Sequence, residues 1–490
     1  MTEIPLPRPV SKLVEDCEAT VTLPNNRRAR RRMFRMLRHC AVRGYGPMCS
    51  DSNDPDTVHC SFKGRLLRDL PIPNRRILRE FHAFVRQLLR DTVAKCQPLA
   101  FEEWLLTTTY TEGRKAELRE ANAQLRGGRP TRRQCQHVDS FVKTEYYTTW
   151  KLARMINSRC DAFKAWSGPR FKAIENVVYQ LPQFVKHIPV ADRPAAIARM
   201  KQAGSIYYQT DFKAFESAMT SQFMRVCECE LYKWCLGDNP DTTFLNSVIS
   251  GKNRMRTRTG IKAACKGRRM SGDMCTSLGN GFTNWALAKF IATRKGGSIS
   301  GFVEGDDGLF ASTVEITKGD YAELGFDIVI NRIDDPCEAS FCGMVFGESG
   351  EIIRDPVKFM MGFGWTHSHI HAGPQICDQL LRAKALSSVY ENPQCPIIGA
   401  FSRYALSKTT GVVPRFVDDG YHIAPDVREI PKFNPAPSTR TLFAKIYGIS
   451  IPMQHLVEAA VTVGDFDLVA ELLPPSPAQA QYASNYVVVT

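Results

Sequence analysis

The sequence contains no apolar run approaching 18 residues, so no segment of it reads as a membrane-spanning helix, and no secretory signal is recognisable. Its sixteen cysteines, scattered from Cys17 to Cys395, include no Cys-x-x-Cys pair. That argues against a zinc ribbon or a disulfide frame and for reduced thiols in a cytosolic chain. Walker A, dinucleotide-binding Gly-x-Gly-x-x-Gly, Gly-x-Ser-x-Gly and His-Glu-x-x-His patterns are all missing, which removes the enzyme classes built on them. There is no internal repeat and no low-complexity block. Acids are the scarcer charge: 50 Asp and Glu against 64 Lys and Arg leave +14 and a pI near 9.1. An excess of that size favours a polyanionic partner, but ribosomal, capsid and membrane-surface proteins share it.

What the sequence does hold is an acid pair at a turn. Phe302-Val303-Glu304-Gly305-Asp306-Asp307-Gly308-Leu309-Phe310 places adjacent carboxylates between apolar runs, and the flanks read as two short strands joined by a Gly-Asp-Asp loop. Adjacent acids repel unless a cation lies between them. A hard divalent ion such as Mg²⁺ takes carboxylate oxygens and keeps sites open for phosphate. Upstream, the β-prone run 205–210 ends on Asp211, and Glu216 follows five residues later. An acid at a strand end can face the same metals, whereas one beyond a turn lies farther out, where a sugar would sit. Between the two comes Ser271-Gly272-Asp273-Met274-Cys275-Thr276-Ser277-Leu278-Gly279-Asn280-Gly281, a loop of small and hydroxyl residues running into an apolar helical segment, 282–291. Such a loop lets a nucleotide approach backbone and hydroxyl groups closely.

In the order Asp-x4-Glu, Ser-Gly-x3-Thr-x3-Asn, Gly-Asp-Asp, the chain resembles viral RNA-dependent RNA polymerases, with palm motifs A, B and C unpermuted. The wording from Ser271 to Asn280 is especially similar to the tombusvirus-like and nodavirus-like groups of positive-strand RNA viruses. Residues 320–330 resemble motif D, a helix, a Gly stop and a strand. Ser340-Phe341-Cys342-Gly343-Met344-Val345-Phe346 resembles the motif E hairpin, and 141–145 with 151–159 resembles the basic ribbon of motif F. The recognisable region runs from about residue 141 to 346, and 101–105 with Arg114 and Lys115 resembles the fingers more weakly.

The resemblance implies template-directed RNA synthesis by transfer of nucleotides from NTPs to an RNA 3′-hydroxyl, with release of pyrophosphate. Two Mg²⁺ ions about 3.5–4 Å apart, or Mn²⁺ in their place, would serve both ends of the displacement. Asp211 and Asp306 would bind metal directly, with Asp307 supporting one ion or the primer end. Lys143, Lys151, Arg154 and Arg159 would neutralise triphosphate oxygens. Glu216, Ser271, Gly272, Thr276 and Asn280 would recognise the ribose, with Asn280 and Glu216 as a hydrogen-bonded pair. Phe341, Cys342 and Gly343 would grip the primer. The family usually carries Asp at the position of Glu216, which shifts that residue from metal toward sugar. Its motif D often supplies a Lys as general acid; Lys318 and Arg332 flank the segment here and neither is assigned. A reverse transcriptase would carry an aromatic where this chain has Glu304. A non-enzymatic RNA-binding or capsid protein would explain the charge, but not two strand-end acid sites separated by a Ser/Thr/Asn loop.

The implied fold is α+β: a right-hand polymerase with fingers, a palm of antiparallel sheet flanked by helices, and a mostly helical thumb. We expect 1–203 to form the N-terminal region and fingers, 204–364 the palm with 225–266 partly returning to the fingers, 365–473 the thumb, and 474–490 a flexible tail. Helical periodicity at 375–390, 396–406 and 451–473 supplies the thumb. Arg27, Arg28, Arg30, Arg31, Arg32, Arg35 and Arg38 read either as an RNA- or membrane-facing helix or as a solvated basic arm. His367, His369 and His371 would share one face of a strand and could hold Zn²⁺, but no fourth ligand is evident and a polar loop is preferred. His39, Cys40, Cys49, His59 and Cys60 have irregular spacing that favours packing. The partners implied are template and nascent RNA, NTPs and other viral replication proteins. The expected location is the host cytoplasm, at membrane-associated replication complexes, with membrane contact indirect or peripheral.

Overall fold

The computed structural model describes residues 20–22, 33–37, 39–47, 50, 52, 54–145, 147, 151–367, 369, 371–416, 430–473 and 487–489. Helix and sheet are mixed. One sheet has the order β1-β7-β6-β3-β4, formed by β1 (Thr20–Thr22), β3 (His137–Val142), β4 (Met155–Arg159), β6 (Lys252–Thr257) and β7 (Lys262–Lys266). The 252–266 hairpin thereby joins the sheet that carries the 137–159 hairpin, through the parallel pairing of β3 with β6. A small sheet combines β2 (Met33–Met36), β14 (Trp365–Thr366) and β15 (Val487–Val489). The central sheet is antiparallel, in the order β10-β5-β9-β8, from β5 (Ile206–Phe212), β8 (Ile299–Glu304), β9 (Asp307–Ser312) and β10 (Ile328–Ile333). A last sheet holds β11 (Ser340–Phe341), β12 (Met344–Phe346) and β13 (Ile352–Ile353).

Alternation along β5 decides which face does what. Tyr208, Thr210 and Phe212 are buried, which leaves Asp211 on the open face. The buried face meets the long helix Thr276–Arg294, whose Phe282, Trp285, Ala286 and Ile291 share one core with Tyr208, Phe212, Val303 and Phe310. That helix starts six residues before the apolar run of the sequence, so Thr276 and Asn280 lie on it and not in a loop. A second core joins Leu37, Cys40 and Tyr45 to the C-terminal helices Pro374–Glu391, Ile398–Lys408, Pro437–Tyr447, Ile451–Val463 and Phe466–Leu472. The run expected at 451–473 is two helices, because Gly464 takes the left-handed conformation at φ +83 and ends the first.

Two expectations at the periphery change. Arg35 sits on strand β2, not on a helix; Arg27, Arg28, Arg30, Arg31, Arg32 and Arg38 lie outside the described residues. The tail is not wholly without structure, since the β-branched run Val487–Val489 pairs in parallel with β2. His367, His369 and His371 follow β14 in bends and a turn, with His369 at φ +53, so they share no strand face.

Candidate active site

The two acid segments meet through strand register. β5 and β9 pair from Ile206 opposite Ser312 to Thr210 opposite Gly308, so one further step of the same ladder sets Asp211 beside Asp307. Gly308 is the small residue this approach requires, because a Cβ there would lie 2.4 Å from the Thr210 Oγ1. β8 and β9 close on Gly305-Asp306 with Glu304 opposite Asp307. The positive φ, +60, falls on Gly305, as a two-residue hairpin turn with glycine first demands.

A residue without an assigned role in the sequence holds this turn. Asn284, fully buried on the long helix, points its Nδ2 at the carbonyl oxygens of Asp307 (3.1 Å), Asp306 (3.2 Å) and Gly305 (3.4 Å). A polar residue inside the apolar stretch 282–291 was the available signal. Its neighbour one turn back, Asn280, is committed differently.

The acids crowd one another. Burial pushes the Asp306 carboxyl above its usual range; Arg154 opposes the shift, and Asp211 and Glu216 add to it. Asp307 is pushed up to about 7 by burial, then by Asp306, Asp211 and Glu304, with Arg154 again opposing. Arg154 is therefore a cation that faces Asp306 and Asp307. It immediately precedes β4, beside Lys143, whose N–H donates to the Arg154 carbonyl at 2.8 Å. Glu145 lies between the two cations, 2.5 Å from Lys143 Nζ and 3.7 Å from Arg154 Nε. Lys151 is exposed.

Arg159 is placed elsewhere, against expectation. Its guanidinium is 1% exposed and pairs with Asp273 at 3.0 Å, and its Nη1 donates to the Cys135 carbonyl at 2.6 Å. It ties β4 to the segment preceding the long helix and cannot reach a triphosphate from there.

A family model described as viral RNA dependent RNA polymerase matches residues 56–320, more than half of the chain, a span that includes Arg154, the acid strand and the Gly-Asp-Asp turn. The chain belongs to that family. It is an RNA-directed RNA polymerase, a nucleotidyltransferase, and the reading as a non-enzymatic RNA-binding or capsid protein is set aside. No curated protein matches it significantly.

The polymerase uses the proposed ribose set partly for its own architecture. Ser271 Oγ donates to the Met155 carbonyl at 2.7 Å, and the Gly272 N–H to the Asn157 carbonyl at 2.9 Å. A Cβ on Gly272 would stand 2.8 Å from that Asn157 oxygen, so only glycine fits against β4. Thr276 Oγ1 donates to the Asp273 carbonyl at 2.9 Å and closes the turn that leads into its helix. Asn280 and Glu216 are not paired with each other. Asn280 Oδ1 accepts from Arg269 Nε at 3.0 Å, and Arg269 is itself locked to the buried Glu228 at 2.6 Å. Glu216 is held by Arg65, a residue the sequence reading never singled out: Nε donates to Oε1 at 2.8 Å and Nη2 to Oε2 at 3.4 Å.

The 340–346 hairpin turns on Cys342 and Gly343, at φ +53 and +78, the two left-handed positions of a tight turn. Phe341 is buried against Leu309 of β9, and Gln209 of β5 donates to the Ser340 carbonyl at 2.6 Å. Cys342 Sγ lies 3.4 Å from Glu304, which also pairs with Lys186 (3.4 Å) and Arg193 (3.5 Å). The hairpin tip thus reaches the acid turn.

Proposed function

We propose that the polymerase copies an RNA template by two-metal nucleotidyl transfer in the cleft bounded by Asp211, Asp306, Asp307 and Arg154. The register that sets Asp211 beside Asp307 is the observation that carries this reading. The donor set suits Mg²⁺: it offers carboxylate oxygens only, and hard cations prefer oxygen. Among the described residues no three acidic, His or Cys side chains are gathered tightly enough to hold an ion unaided. Mg²⁺ takes one or two carboxylates and completes its shell with substrate phosphate and water. Asp211 and Asp306 would be the direct ligands, with Asp307 in support and Mn²⁺ as an alternative ion. The bound ions would make the 3′-hydroxyl a better nucleophile and neutralise charge on the phosphates.

The chain's own groups do the rest. The 3′-oxygen bonds to the α-phosphorus as the bond between that phosphorus and the oxygen bridging it to the β-phosphorus breaks; the hydroxyl proton passes to water, and the bridging oxygen leaves as part of pyrophosphate. Arg154, Lys143 and the exposed Lys151 receive the triphosphate, which displaces Glu145 from the first two because it carries more charge. The 340–346 hairpin supports the primer end next to Glu304. Glu216 accepts a ribose hydroxyl. Asn280 keeps its Nδ2 donor for the sugar after Arg269 has taken its oxygen; Ser271, Gly272 and Thr276 shape the wall behind it.

We further assign residues 1–203 to an N-terminal region and fingers, 204–364 to the palm, with 225–266 partly in the fingers, and 365–473 to the thumb of a right-hand polymerase. The Ser271–Asn280 wording supports a tombusvirus-like or nodavirus-like source. Template and nascent RNA, NTPs and other viral replication proteins are its partners, in the host cytoplasm at membrane-associated complexes. The test is label incorporation by the purified protein with a defined RNA template, NTPs and Mg²⁺. Incorporation should follow the template base and vanish in the Asp306→Ala variant; template-independent incorporation, or full activity of that variant, would overturn the assignment.

A further inference from the structure

The segment 62–68 touches the site at three successive points. Gly64 packs so tightly on the basic ribbon that a Cβ there would lie 2.3 Å from the Leu152 Cδ1. Arg65 grips both Glu216 oxygens, and both side chains are about one-fifth exposed. Arg68 Nη1 donates to the Lys213 carbonyl at 2.9 Å, and its Nη2 pairs with Asp327 at 2.6 Å. Between these two arginine contacts lies Ala214, a non-glycine residue at φ +50. A left-handed alanine persists only where its surroundings hold it. The segment itself is a wide helical turn, Phe62–Leu66, closed by the Leu67 N–H on the Phe62 carbonyl at 2.8 Å and anchored by buried Phe62 and Leu66. Such turns redirect side chains and recur at functional positions.

We infer that Arg65 is the positioning residue for sugar selection, fixing the Glu216 carboxylate at the nucleotide site, with Arg68 clasping the turn that leads to it. The inference rests on the reading of this cleft as the nucleotide site. An isolated glutamate on a four-residue helix could swing through several rotamers; a two-point guanidinium contact leaves it one orientation, with a lone pair on each oxygen still free. A carboxylate so fixed accepts a ribose 2′-hydroxyl without reorganising, and a deoxynucleotide leaves that acceptor unmatched. Arg68 holds backbone and Asp327, so it affects the position of the whole turn and not the choice of sugar.

Matched NTP and dNTP incorporation at fixed Mg²⁺, scored as the ratio of their kcat/KM values, tests this. Arg65→Ala should compress the ratio on the order of tenfold or more, Arg65→Lys should retain part of it, and Arg65→Ala with Glu216→Ala should add little to Glu216→Ala alone. Arg68→Ala should lower both rates together. A wild-type ratio in Arg65→Ala, with both rates merely reduced, would overturn the inference. Should Arg65→Ala fail to fold, Arg65→Lys and Glu216→Gln decide: both must compress the ratio. Wild-type protein without template-directed incorporation would instead refute the reading of the cleft, before any variant is compared.

Discussion

Two sets of charged groups in this molecule are built from the same residue types and differ in how far opposite charges are paired. Behind the cleft, Arg269 meets Glu228 and Asn280, and Arg159 meets Asp273 and the Cys135 carbonyl, with both ion pairs at most 2% exposed. In the cleft, Asp211 adds to the upward push on both Asp306 and Asp307 with Arg154 as the opposing cation, and Asp307 is driven up to about 7, by burial first and by Asp306, Asp211 and Glu304 next. Matched charges behind the cleft fix the position of the 271–280 segment. Unmatched charges in it are what the proposed cations and phosphates would complete. The distinction is one of pairing, not of residue type.

The sharpest break in that comparison is a substitution on each side. Asp306→Ala should lower nucleotide addition on the order of 10³-fold while RNA retention and melting temperature stay near wild type. Asp273→Ala should do the reverse first, destabilising the fold by about 3–5 kcal/mol because Arg159 is left buried and unpaired. Denaturant unfolding and single-turnover incorporation on preformed complexes separate the two. Equal loss of stability in both variants would erase the proposed division between the two sets.

The arginine just before β4 and the one that ends it offer a finer version. Arg154→Ala should raise KM, or lower kcat, about equally for all four NTPs, since phosphate contacts carry no base information. Arg159→Ala should instead act through stability, by an amount like that of Asp273→Ala. A base-specific defect in Arg154→Ala would move that residue from the phosphates to the template.

This contrast shows what was legible in the sequence. Arg154 and Arg159 are five residues apart, so along the extended run that leads into β4 they have opposite parity, one exposed and one buried. Met155, Asn157 and Arg159 are the buried parity of β4. The alternation was available and would have removed Arg159 from the phosphate set. The acid strand, the Gly-Asp-Asp turn and the 340–346 hairpin could be read because turn chemistry and strand period are local. Arg65 could not: its contact with Glu216 spans 151 positions in the chain, and only tertiary packing selects one arginine among many. Nor could the fate of the Asn280 oxygen, which depends on a buried arginine held by a third element.

A smaller effect should follow from metal itself. Mg²⁺ added to metal-free protein should raise the melting temperature by about 1 °C for each kcal/mol of binding in a chain of 490 residues, and 100-fold excess over Kd gives about 2.7 kcal/mol. Asp211→Asn and Asp306→Asn should lose most of that rise. The same titration on Asp273→Asn should keep it, measured from a lower starting temperature. If all three respond alike, the ion is not bound by the crowded acids.

The smallest expected effect concerns Asn280 and Glu216, which the structure anchors on separate partners. Were they a hydrogen-bonded pair, removing either would forfeit the same interaction, and the double variant would cost no more than one single. Anchored apart, they contribute separately: Asn280 through its Nδ2 donor, Glu216 through a carboxylate fixed by Arg65. Asn280→Ala should compress the NTP-to-dNTP ratio only a few-fold, about 1 kcal/mol or less, as expected for one neutral hydrogen bond. Combined with Glu216→Ala, the losses should add to within about 0.5 kcal/mol. One link between them remains: the Arg269 N–H donates to the Glu216 carbonyl at 3.0 Å while its Nε holds Asn280, so a shift of Arg269 would be felt by both. A double-mutant cycle with matched NTP and dNTP reads this directly. A coupling energy well above that limit would mean that Asn280 leaves Arg269 for Glu216 when nucleotide binds, and the separation between the matched set and the open one would then hold only for the unliganded enzyme.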